Sequence, residues 1–554
     1  MKKVFLLTVA ILAVVAVSCD NSKLQSDMII KNARIWTGNP EQPYAEAMAV
    51  SGDTIVAIGS SREVMRYKSG ADTIIDLGGR FVAPGFIDSH LHLLQGGSNL
   101  ASVQLRDASS PEIFVSRIRE YAATLKPGEW ILGGDWDGMG WESLPHCDWI
   151  DSVTPDNPVF VSRLDGHMAL ANSMAMKLAG VDRKVKDVSG GTIGRDPDGG
   201  LTGIFKDNAM DLISVKIPEQ SAEEVDRALV AAMKYLASNG VTSAHSVDAA
   251  AYADGLSRVR ARGEQITRIY YMQSISRWKD LKEQIDREGR GDKWISTGGI
   301  KGFVDGSLGS HTAAFLEPYT DLQTDTGLFV NSEEDLYNWT LEADRAGLQV
   351  AIHAIGDRAI NSILNIYERV AAENGERDRR FRIEHSQHIA PADIERYGKL
   401  KVIASMQPYH TIDDGRWAEQ FIGTERMKTT YACRMLLDSG ARLAFGSDWF
   451  VAPATPLEGI YAAVTRRTLD GKNPGGWIPE QKITVEEALK AYTIDAAYAS
   501  FEENIKGTLE PGKLADFVVL DRDITTVDPV EIWDMKVRQT WVGGKKVFER
   551  TEVQ

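Results

Sequence analysis

The chain has 554 residues, 43% hydrophobic and 25% charged, a globular balance that excludes a disordered chain and a single small core. Acidic residues outnumber basic ones, 78 to 62, for a formal charge of −16; nucleic acid is excluded as the main partner, because phosphate binding needs a basic surface. Three cysteines cannot build a disulfide framework.

The chain opens MKKVFLLTVAILAVVAVSC. Lys2 and Lys3 precede an apolar run from Val4 to Val17, broken only by Thr8. The run is short for a membrane span and fits a secretory leader over residues 1–18. Small residues then precede Cys19, which resembles a bacterial lipoprotein signal, although Ala16 stands where Leu is usual. That resemblance implies export to the cell envelope and lipidation of Cys19, with residues 19–27 as a tether. The membrane would then be reached by the lipid anchor only. Cys147 and Cys433 read as ordinary buried or semi-buried thiols.

Residues 28–82 read as short strands with turns: "MIIKNARIWTG" alternates apolar and polar residues and ends on Gly. The other end reads alike, with "ADFVVLDRD" and then "VRQTWVGGKKVF" around a Gly-Gly hairpin signal. Each set alone is a poor core, so residues 28–82 and 503–554 are expected to form one composite β-sandwich.

Residues 83–502 alternate strands and helices, the pattern of parallel βαβ units. Strands are expected at 86–92, 241–246, 267–273, 299–305, 348–354, 380–386, 401–407 and 442–448. Eight such strands make an α/β chain of the (β/α)8 TIM-barrel class. A helix is expected after Ser221 as N-cap, with Gly240 as C-cap. A large insertion, about 95–235, separates the first two strands. It is too long for a simple loop and reads as a lid or subdomain over the strand ends.

The first barrel strand reads "FIDSHLH". Side chains alternate faces with period two, so His90 and His92 point the same way, toward the interior near the C-terminal rim. Two neutral imidazoles on one face are a natural half-site for a metal. Asp88 shares the face, one step deeper. Later strands add His353, His385 and Asp448 at or near their ends, and Lys301 within the fourth. Buried polar groups are costly without partners, and a metal supplies a shared one. An ammonium offers a metal no lone pair, but a lysine carbamate could bridge two metals. Lys301 and Asp305 share a face, and spacing alone leaves the choice between them open.

"PGFIDSHLH", the strand lysine before "DGSLGS", then "IHAIGDRA", "RIEHSQ" and "FGSDW" resemble the amidohydrolase superfamily. The likeness is to its family-3 branch, which includes the N-substituted formamide deformylases. It extends to "DGHMALANS", "MQPYH", "TPLEGIYAAVTR" and "GTLEPGKLADFVVLD". The resemblance implies a metal-carrying barrel with His90, His92, carbamylated Lys301, His353, His385 and Asp448 as ligands. One or two divalent ions are implied, most simply Zn²⁺.

The implied reaction is hydrolysis of a non-peptide carbon–nitrogen bond in a small amide, formamide or cyclic amide. A metal-activated water would attack, with Asp448 as general base. His167 and His410 fall at positions that line the substrate pocket in the family, and His311 is expected to touch substrate or hold its loop. His245 is expected beside the pocket, and His146 and His388 in structural or surface roles. Trp136, Trp141 and Trp449 are expected either to wall the pocket or simply to pack. The same site would also suit an ester or carbamate hydrolase, and a non-catalytic binding lipoprotein is the reading from another class. The sequence leaves the oligomeric state open, a homodimer among the options.

Overall fold

The computed structural model describes residues 25–138, 141–247 and 252–551. The expected leader, most of the tether and Cys19 lie outside the described residues. Among the described residues, no helix is long and apolar enough to cross a membrane.

Eight parallel strands form the centre: β1 (Phe86–Leu91), β2 (Val241–Ser246), β3 (Arg268–Ser274), β4 (Ile295–Phe303), β5 (Gln349–Ala354), β6 (Arg382–His385), β7 (Ile403–Met406) and β8 (Arg442–Phe445). They lie side by side in chain order, and each overlaps its expected position. Buried on both faces, β1, β2 and β5 are shielded along their whole length, as a helix-covered parallel sheet requires. The register sets Phe303 of β4 opposite His353 of β5, and His353 opposite Glu384 of β6. The sheet curls until the segment after β8 meets β1 through one bridge, Leu91 with Trp449.

The helix Ala222–Ser238 leads into β2. Ser221 caps it in a reciprocal capping box with Glu224. Its C-cap is Asn239 rather than Gly240. Gly240 takes the next position with φ +84°, the left-handed turn that a Cβ would oppose.

Between β1 and that helix stands a six-stranded mixed sheet. Its order is Gly191–Arg195, Leu201–Asp207, Met168–Ala171, Val159–Arg163, Ile131–Trp136 and Val103–Gln104. It has apolar clusters of its own, one around Phe114, Trp136 and Val161, another around Phe160, Phe205 and Ile213. Two further sheets use the chain ends. One is four-stranded and N-terminal. The other is six-stranded and pairs Phe81–Pro84 with Phe517–Leu520. Residues from both ends, among them Ile30, Val50, Phe517 and Trp541, share one apolar cluster.

Candidate active site

The seam where β8 meets β1 brings distant parts of the sequence together. The Asp448 amide donates to the His90 carbonyl at 2.7 Å, and the His92 amide to the Trp449 carbonyl at 2.7 Å. A Cβ on Gly446 would lie 2.5 Å from the His90 nitrogen, so only glycine permits this approach. Asp88, the deeper residue of the face, braces the seam. It accepts from the His90 amide (3.2 Å), the Ser447 amide (3.0 Å) and the Ser447 hydroxyl (2.5 Å).

Backbone distortion aims two of the side chains. Arg382 and Glu384 of β6 face the barrel interior, so strict alternation would turn His385 away. At His385 φ is +74°, at Ser386 +46° and at Asp448 +59°, a conformation that costs non-glycine residues about 1–3 kcal/mol. The His385 ring consequently lies 4.8 Å from that of His90 and 4.4 Å from that of His353.

The side chains converge on Asp448. His90 Nε2 and His92 Nε2 each lie 3.4 Å from its Oδ1, and His385 Nδ1 lies 3.8 Å from its Oδ2. His90, His385 and Asp448 form a buried group able to hold a metal ion. His90 Nε2 and Asp448 Oδ1 are buried and have no hydrogen-bond partner, a costly state that a cation would relieve. Tetrahedral zinc with bonds of about 2.1 Å has ligand–ligand edges of about 3.4 Å, so the spacing fits such an ion. Gln407 Oε1 holds His385 Nδ1 at 2.9 Å, and the Gly306 carbonyl holds His353 Nε2 at 3.0 Å.

The choice between Lys301 and Asp305 gains a physical basis here. Asp305 accepts amide bonds from Ala314 (2.8 Å), Ile355 (3.0 Å) and Gly356 (2.9 Å). Its oxygens tie together the loops after β4 and β5. Lys301 is buried with Nζ 4.2 Å from the Phe303 ring centroid, and its charge acts on His90, His353 and His385.

Burial, then the charge of Lys301, lowers the His90 pKa. Burial followed by His167 pushes His353 well below the usual imidazole range, and burial followed by His353 does the same to His385. Neutral imidazole is the form that ligates a metal. Burial opposes ionisation of Asp448, but His90, His92 and His385 outweigh it and hold the carboxyl well below the usual range.

A pocket opens onto this group, lined by His167, His353, His385, His410 and Asp448 together with Trp417. His410 Nε2 faces no partner and is buried. The insertion supplies His167, whose Nδ1 bonds to Asp207 Oδ1 at 2.7 Å. Burial opposes charge on that ring, yet the bond and charge of Asp207 outweigh it and raise the pKa. Arg163 and Arg416 also line the pocket, each paired to aspartate: Arg163 with Asp165 at 2.5 Å, Arg416 with Asp137 at 3.4 Å and with Asp413.

Some expected residues are placed elsewhere. His311 does not line this pocket. Its Nε2 pairs with Asp321 at 2.9 Å, and its ring packs on Tyr319 and Phe421. Of its two expected roles, the loop-holding one fits this position. Trp136 and Trp141 stack inside the insertion, and Trp449 stacks on Tyr235; Trp417 is the tryptophan of the pocket. His146 accepts the Asp148 amide at 3.1 Å as a helix cap, and His388 is buried against Thr430. Sequence reasoning missed Glu384, Arg382 and Gln407. Period two on β6 was the available signal: it puts Arg382 and Glu384 on one face of a barrel strand, where charge needs a partner.

A model of the amidohydrolase family matches residues 73–548. The chain belongs to the amidohydrolase family. This amidohydrolase is 41% identical to the protein LONG AFTER FAR-RED 3 of Arabidopsis thaliana, over 94% of the chain and 92% of that protein. It is 28% identical to the N-substituted formamide deformylase of Arthrobacter pascens, over 95% and 99%. A metal-dependent hydrolase from Pyrococcus horikoshii has the same fold, with a TM-score of 0.74 and 28% identity, covering 91% of this amidohydrolase and 99% of that chain.

Proposed function

We propose that this amidohydrolase cleaves a non-peptide carbon–nitrogen bond in a small amide, formamide or cyclic amide, using one or two divalent ions, most simply Zn²⁺. The carrying observation is the convergence of two imidazole nitrogens on one buried aspartate oxygen, each 3.4 Å away. His90, His92, His353, His385, Asp448 and a carbamylated Lys301 would hold the metal. When bound, a divalent cation supplies Lewis acidity, polarising a carbonyl and acidifying water.

The remaining work falls to side chains. Asp448, held ionised, would take a proton at a carboxylate oxygen and return it to the leaving nitrogen. His410 Nε2 and the ring of His167, both lining the pocket, would offer polar contacts to substrate. Leu164, Leu308, Ile355 and Val451 line its apolar part and exclude water from the polar contacts. The relative from Arthrobacter directs the first choice of substrate to N-substituted formamides. We also infer export and lipid anchoring at Cys19, supported by the lysines, apolar run and small residues that precede it.

The test is turnover of purified, zinc-loaded protein against N-formyl, N-acyl and cyclic amides, with Asp448→Asn as control. General acid–base loss predicts a fall of about 10²–10⁴-fold with zinc retained. Undiminished turnover in the variant would remove Asp448 as the proton carrier. Ester cleavage without amide cleavage would replace the reaction class.

A further inference from the structure

Beneath the converging histidines lies a closed polar network that the mechanism above does not use. Glu384 Oε2 bonds to His90 Nδ1, on the far side of the ring from Asp448. Arg382 clamps the carboxylate, Nε to Oε1 at 2.7 Å and Nη2 to Oε2 at 3.1 Å. Nη2 also contacts the Ser89 carbonyl (2.6 Å) and Ser405 Oγ (3.0 Å), and Nη1 reaches His245 Nδ1 (3.1 Å). One guanidinium thus joins β1, β2, β6 and β7 across the barrel, and both Arg382 and Glu384 are fully buried.

We propose that Glu384 is a positioning residue for His90, fixing the tautomer and ring angle that set metal affinity. This role rests on the metal site proposed above. An ionised carboxylate can only accept, so the hydrogen of His90 sits on Nδ1 and Nε2 presents a lone pair. That lone pair faces Asp448 Oδ1, also an acceptor, at 3.4 Å. Two acceptors with no hydrogen between them repel, and a cation between them turns the repulsion into two bonds. Glu384 therefore builds the gap as well as orienting one of its walls. Arg382 keeps the carboxylate from rotating away, because both oxygens are held. A carboxylate behind a ligating imidazole raises its basicity, and losing such a partner costs about 10–100-fold in metal affinity.

The experiment measures zinc dissociation constants by competition with a chromophoric chelator, independently of turnover. The full-length proteins are wild type, Glu384→Gln, His90→Asn and the double variant. Glu384→Gln alone should weaken zinc by about 10–100-fold. In the His90→Asn background the same change should add less than about threefold, because its target is gone. Wild-type zinc affinity in folded Glu384→Gln overturns the proposal, and so does an equal loss in both backgrounds. If the amide leaves Arg382 unpaired and the protein unfolded, Glu384→Asp keeps the charge and shortens the arm. It should weaken zinc and shift the visible spectrum of the cobalt-loaded protein, and unchanged values for both overturn the proposal. A wild type that takes up no zinc overturns the metal reading itself and this role with it.

Discussion

At the scale of single residues, the site is a contest between desolvation and neighbouring charge. His353 and His385 lose: burial keeps them neutral and fit to ligate. Asp448 wins: its carboxyl is held well below the usual range despite burial, with His92 hydrogen-bonded to it. Lys301 places a cation among these rings, which disfavours a metal; the carbamate proposed above would reverse that charge. Lys301→Ala should therefore lower zinc content, measured by atomic absorption, and short carboxylic acids should restore part of it. Wild-type zinc content in the variant would remove Lys301 from the ligand set. Asp414 offers a pH test. Burial, reinforced by Asp413, pushes its carboxyl up to about 8, against the hydrogen bond from Tyr431. The folded state then binds a proton that the unfolded state has lost, so this group's stabilising contribution is present below about pH 4 and declines as pH rises toward 8. Asp414→Asn should flatten that decline in urea midpoints between pH 5 and 8. A slope equal to wild type would show that Asp414 ionises normally.

Among elements, the instructive strand is β6. Its pattern places Arg382 and Glu384 inward, and the left-handed turn at His385 then adds a third inward residue. Period two alone would pick out the first pair and turn His385 away, since nothing in the residue type announces a positive φ at histidine; family likeness, not period, singles out His385 and leaves the pair unnoticed. Asp305 is the converse: spacing alone makes it a rival ligand, and three amide donors make it a loop anchor. Elements are also joined by buried charge. Arg268 at the start of β3 pairs in two places with Asp516, at 2.6 and 2.9 Å, and Asp516 accepts the Gly543 amide at 2.7 Å. This pair ties the barrel to the C-terminal sheet. Asp516→Ala would strand a buried guanidinium, at a cost of about 3–5 kcal/mol. The first urea transition should move accordingly, and a loss under about 1 kcal/mol would mean the pair behaves as an exposed one.

For the whole molecule, the chain ends share one apolar cluster while the insertion brings His167 and Asp207 to the barrel mouth. The expected anchor would act on the molecule as a unit. Cys19→Ala should move the protein from the membrane to the soluble fraction of the cell envelope, and retention in membranes would sink the lipid anchor. The sequence by itself determined the eight strands, because alternation of strand and helix is a local pattern. It likewise determined the histidine pair of β1, because period two needs no partner strand. Only the tertiary structure decided which polar residues meet. Asp448 reaches His90 through curvature of the sheet. His311 is turned to Asp321, Phe421 and Tyr319, and Trp417 rather than Trp449 lines the pocket. Those outcomes depend on strand closure and loop packing, which sum contacts between residues hundreds of positions apart and leave no local trace in the chain.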